Sequence, residues 1–114
     1  MGDCLFCKIA AGEIPSTKVY EDDSVLAFKD INPQAPVHVL VIPKQHVGCW
    51  NDLDLMEDGA IAHLCKVAHE VAKAQGVDES GYRVVSNCGA EAQQTVHHLH
   101  LHVLGGRPLT DGMA

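Results

Sequence analysis

Residues 97–107 read HHLHLHVLGGR, and four of the chain's eight histidines fall within six of those positions. A β-strand sends alternate side chains to opposite faces. His98, His100 and His102 therefore share one face, and Leu99, Leu101 and Val103 share the other. Such a strand, expected over Val96–Leu104, can pack its leucine side under a helix. His97 falls on the leucine side, at the strand's exposed beginning. Neighbouring imidazoles on one pleated face sit ~7 Å apart. Crowding them is unfavourable if all are protonated, so the pattern suits a bound metal or a surrounded anion.

The flanks favour the anion. The loop Asn87–Thr95 (NCGAEAQQT) supplies backbone N–H groups, Asn87, Gln94 and the Thr95 hydroxyl, and such a loop can cradle a phosphate. Gly105-Gly106-Arg107 adds a turn with a cation. For the central histidine two roles stay open. It can be a metal ligand, or a neutral nucleophile that attacks phosphorus to give an intermediate cleaved by water. In the second role, neighbouring donors stabilise charge on the phosphoryl oxygens.

The 114 residues suffice for one core, and a single domain over 1–114 is expected. CLFCKIAAGEIP predicts a short N-terminal helix closed by Gly12 and Pro15. Lys18–Tyr20 and Ser24–Lys29 read as paired strands about an acidic turn, and HVLVI at 38–42 as a third strand ended by Pro43. From about Leu53 to Gln75 apolar residues recur at Met56, Ala60, Leu64, Val67, Val71 and Ala74, one face of a helix, with Gly76 placed to end it. Tyr82–Ser86 is a further strand. The class is α+β: a mainly antiparallel five-stranded sheet, one long helix and a short N-terminal one.

A net charge of −7 excludes a nonspecific grip on nucleic acid, which needs a dense basic surface. With 46% hydrophobic and 20% charged residues the composition is ordinary for a globular domain. No apolar run approaches the ~20 residues that span a bilayer, and MGDCLFCK lacks a signal-peptide pattern, so no membrane partner is expected. Five scattered cysteines (Cys4, Cys7, Cys49, Cys65, Cys88) argue against a complete disulfide framework and for a reducing, cytoplasmic setting.

His98-Leu99-His100-Leu101-His102-Val103-Leu104 resembles the histidine-triad pattern, His-φ-His-φ-His-φ-φ with φ apolar. EIP at 13–15, YEDD at 20–23, LAFKDINPQAP at 26–36, HVLVIPK at 38–44, GYRVV at 81–85 and QTVHHLHLHVLGGR at 94–107 resemble the Hint branch of that superfamily. The resemblance spans roughly residues 4–107. It implies a nucleotide hydrolase acting on purine nucleoside phosphoramidates, working as a homodimer and needing no cofactor for catalysis. By position it implies that His100 is the nucleophile, that His102 contacts the phosphate, and that Thr95 and Gln94 donate to phosphate or leaving group. Asn87 would sit near the 5′ oxygen and Asp30 would accept from the ribose hydroxyls. Phe6, Ile9, Phe28 and Ile31 would line the base pocket, and His38 would stand behind the triad in a hydrogen-bond relay. Hint proteins commonly carry glycines just before the Gln, whereas Ala92 and Gln93 stand here. Non-glycine residues would be strained there if the loop needs positive φ.

Cys4-x-x-Cys7 offers two thiolates at a spacing suited to one metal, but zinc wants four ligands. The resemblance completes a structural zinc site, because several triad proteins add the histidine of PKxH, here His46, and the first of the triad, His98. Cys49, Cys65 and Cys88 have no comparable partners, and His63 and His69 read as solvated. Three classes remain distinguishable by experiment: the phosphoramidate or dinucleoside polyphosphate hydrolase, a nucleotide-binding regulatory module, and a purely metal-binding protein.

Overall fold

The structure, a computed structural model, describes residues 3–111. Helix α1 (Leu5–Ala10) is followed by strands β1 (Lys18–Glu21), β2 (Val25–Lys29) and β3 (Val37–Pro43). Helix α2 (Asp58–Ala74) and strands β4 (Tyr82–Val85) and β5 (Leu101–Gly105) complete the elements, with short 3₁₀ turns at Trp50–Leu55 and Ala90–Ala92. The five strands form one antiparallel sheet in the order β1-β2-β3-β5-β4, the expected architecture.

The central strands are buried on both faces, and their alternation sorts the core. Val25, Ala27, Val39, Val41, Leu101 and Val103 meet Leu64, Val67, Ala68 and Val71 of α2. Leu26, Phe28, Leu40 and Ile42 turn to the other face and meet Phe6 and Ile9 of α1. The sheet thus has a sealed side under the long helix and a working side under a helix of only six residues. That short helix cannot cover the whole face, and the remainder is where a ligand can enter.

Four expectations are corrected. The long helix begins at Asp58, because Met56 is extended and turns its side chain into the core; Ala68 and Ala72 complete the buried face, while Ala74 is exposed. The last strand begins at Leu101 instead of Val96. Before it, the backbone serves other partners: Leu99 N–H donates to Val47 (2.7 Å) and His98 N–H to Val96 (2.9 Å). Finally, Cys49 and Cys88 form a disulfide, with Cα atoms 5.3 Å apart and 39 residues between them in sequence. Cys4, Cys7 and Cys65 are free. His63, expected in solvent, bonds Asp22 at 2.6 Å and ties α2 to the β1–β2 turn.

Candidate active site

A cleft of about 730 Å³ opens on the working side, well within the size of small-molecule sites. Its floor is apolar, from Phe6, Ile9, Phe28 and Leu40, and its polar wall carries Asp30, Thr95, His100 and His102. Ile31 stands at the lip, 94% exposed, so it is no core residue and could only close over a ligand. Leu40 escaped the sequence reading, although HVLVI places it on the same face as His38. Ser16, also unnoticed, lines the cleft with a buried hydroxyl that has no partner among the described residues.

The imidazoles are oriented by backbone groups that each permit one tautomer. His100 Nδ1 lies 2.7 Å from the His98 carbonyl. A carbonyl only accepts, so Nδ1 carries the proton and Nε2 keeps its lone pair. His98 Nε2 lies 2.8 Å from the Pro43 carbonyl, which leaves the His98 Nδ1 lone pair free. The Gln34 N–H donates to His38 Nδ1 (3.0 Å), so the proton of a neutral His38 sits on Nε2. His38 Nε2–H then donates to His102 Nδ1 at 2.9 Å, and His102 presents an Nε2–H.

Protonation states agree. Burial pushes the His102 pKa down to about 4, helped by its neighbours His100 and His38 and opposed by Asp30. Burial likewise lowers His38, against the pull of Asp30. The 3.4 Å approach of His38 Nε2 to Asp30 is therefore a contact to a neutral ring. Asp30 Oδ1 accepts from the Asn32 N–H (2.8 Å), which fixes the carboxylate at the cleft wall.

The triad is less uniform than alternation implied. His98 is fully buried, and does not line the cleft. Its carbonyl aims His100, while its ring faces the cysteines. His100 and His102 have ring centroids 5.0 Å apart, so the two rings lean toward one another across the ~7 Å backbone step that separates alternate residues. Gln94, expected at the phosphate, spends its carboxamide on the backbone: Nε2 donates to Gly48 (2.8 Å) and Val96 (3.0 Å), and Oε1 accepts from Gly89 (2.9 Å). It holds the loop and leaves Thr95 to face the cleft. Asn87 also lies outside the cleft lining. The loop does demand positive φ, at Gln93 (φ 66°), where a non-glycine residue carries the strain.

Cys4, Cys7, His46 and His98 converge, all ligand atoms lying within 4.8 Å of one another. Cys4 Sγ is 3.3 Å and Cys7 Sγ 3.6 Å from His98 Nδ1, and Cys7 Sγ is 3.2 Å from His46 Nδ1. Zinc bond lengths and a tetrahedral angle require S···N edges of about 3.6 Å. The donor set fits zinc, and the Pro43 carbonyl turns the correct His98 nitrogen toward it. Without a cation, burial and the adjacent Cys4 sulfur push the Cys7 thiol up. The group would be structural, joining α1 to the segment that carries His100.

An imidazole with a free lone pair, flanked by a neutral N–H donor, a carboxylate and an apolar slot, is equipment suited to a hydrolase. Residues 11–109 match the model of the HIT domain, and the chain belongs to that family. It is 44% identical over 107 residues to the purine nucleoside phosphoramidase of Escherichia coli (strain K12), covering 94% of this chain and 90% of that protein. A 14 kDa zinc-binding protein of Brassica juncea is 48% identical over 109 residues, covering 94% and 96%. The crystal structure of a HIT family hydrolase from Legionella pneumophila superposes with a TM-score of 0.89 at 49% identity, covering 96% of this chain and 97% of that one. The protein is a HIT family hydrolase.

Proposed function

We propose that the protein hydrolyses the P–N bond of purine nucleoside 5′-phosphoramidates through a nucleotidyl-His100 intermediate. The observation that carries this reading is the His98 carbonyl on His100 Nδ1, which leaves a lone pair on Nε2 at the cleft. The purine enters the slot of Phe6, Ile9, Phe28 and Leu40 with Ile31 at its edge, and the Ser16 hydroxyl meets a heteroatom of the base. Asp30 accepts from the ribose hydroxyls. His100 Nε2 attacks phosphorus while His102 Nε2–H and the Thr95 hydroxyl donate to phosphoryl oxygens. His38 keeps His102 in the donating tautomer. The departing nitrogen takes a proton from water and leaves as an amine. A second water cleaves the P–N bond to His100, releasing the nucleoside monophosphate.

Zinc held by Cys4, Cys7, His46 and His98 braces this arrangement without entering it, and the relative named as zinc-binding supports that assignment. Two copies pair through the edge strand β4, whose outer side has no strand partner among the described residues and whose Val84 is 45% exposed. Cys4, Cys7 and Cys65 are free, as a reducing cytoplasm would keep them, and the Cys49–Cys88 disulfide is the exception to that placement.

The test is turnover of adenosine 5′-phosphoramidate by the parent and by His100→Ala. The parent should release AMP, and an alkaline denaturing quench, which spares P–N bonds to histidine, should trap adenylate on residue 100. The variant should lose roughly 10³-fold or more in kcat and trap none. Equal behaviour of the two proteins would overturn the assignment.

A further inference from the structure

Cys49 and Cys88 join two segments that meet at one other residue. Gly48, beside Cys49, accepts from Gln94 Nε2 at 2.8 Å; Gly89, beside Cys88, donates to Gln94 Oε1 at 2.9 Å. The Gln94 N–H also donates to the Gly89 carbonyl at 3.1 Å. Thr95, which lines the cleft with His100 and His102, is the next residue. The sulfur pair and the Gln94 side chain thus clamp the same junction, one residue from the site. Cys49 is 6% exposed and Cys88 half-buried, so an incoming reagent meets Cys88 first.

We propose that Cys49 and Cys88 are a reversible redox modification site, oxidised by a small-molecule disulfide such as oxidised glutathione, and that oxidation tightens the nucleotide site by clamping the loop before Thr95. The Cys88 thiolate attacks one sulfur of the small disulfide and releases a glutathione thiolate. The Cys49 thiolate then attacks the Cys88 sulfur of the mixed disulfide and releases the second. The protein loses two hydrogens, the small disulfide gains them, and two electrons pass to it. In the reduced form the Gln94 hydrogen bonds remain to bridge the two segments.

The experiment equilibrates the full chain, with its metal content intact, in glutathione buffers of graded ratio. Alkylation and peptide mapping then follow the cysteines, with exposed Cys65 reporting unselective oxidation. Oxidised protein should yield a 49–88 linked peptide, slower amide hydrogen exchange over 89–95, and severalfold tighter AMP binding than reduced protein. Cys88→Ser, with Cys88→Ala as a second variant should the first not fold, should exchange and bind like the reduced parent at every ratio. Separate alkylation of Cys49 and Cys88 in fully oxidised buffer would overturn the proposal. So would a linked protein whose loop exchange and AMP affinity match the reduced form. Only the AMP comparison rests on the proposed function. If AMP binds but phosphoramidate is not cleaved, the hydrolytic reading fails and the redox result still decides this one.

Discussion

Acid should destabilise the protein through His102 before most of its carboxylates titrate. In the fold burial holds the ring's pKa at about 4; once exposed in the unfolded chain it returns to 6.5. Unfolding therefore takes up a proton between those values. The stability linked to the neutral ring is whole above 6.5 and is lost as pH falls toward 4. Integrating the linkage from about pH 7.5 to about pH 5 gives a loss of about 2 kcal/mol from this one group. Against a domain stability of roughly 5–15 kcal/mol that is readily measured. Urea denaturation at the two pH values, on the parent and on His102→Gln, isolates it. Glutamine keeps an acceptor for His38 and does not titrate, while proton uptake at Cys4, Cys7, His46 and His98 is common to both proteins and cancels. The parent should lose about 2 kcal/mol more than the variant. Equal losses, or an NMR titration of the His102 ring near its ordinary value in folded protein, would refute the reasoning.

Gln93→Gly should relieve the left-handed backbone before Gln94 and raise stability by about 0.5–1 kcal/mol, read as a higher Tm; a lower Tm would show that the turn is unstrained. Tag-free parent should carry about one zinc per chain, and Cys7→Ser should lose it while His102→Gln keeps it. A bare trace of zinc in freshly purified parent would count against the site, whereas chelation of a loaded site should lower Tm. Leu64→Ala, at the centre of the sealed face, should cost about 2–5 kcal/mol by denaturation, yet leave kcat little changed at a temperature where the variant is folded.

The cleft's two principal imidazoles and the five-strand architecture were legible because periodicity is local, whereas Phe6, Ile9 and Phe28 of the floor came from the family resemblance and Leu40 was missed. The alternation of VLAFK and HVLVI sorts side chains to two faces whatever the chain does elsewhere, and the three- and four-residue steps to Leu64, Val67 and Val71 define the face of α2 in the same way. What the sequence hid are meetings between distant segments and the choices made by backbone groups. The Pro43 and His98 carbonyls and the Gln34 N–H select the histidine tautomers, but a main-chain carbonyl has no letter in the sequence. Gln94 looked like a phosphate donor because its chemistry permits that; only the carbonyls of Gly48 and Val96 beside it consume its hydrogens. Cys49 and Cys88 looked unpaired because 39 residues separate them. The sequence by itself determined which faces are apolar and which residues carry chemistry, since both follow from side-chain type and backbone period. The tertiary structure alone decided where each proton sits and which donors remain free, since those depend on hydrogen bonds closed across the fold.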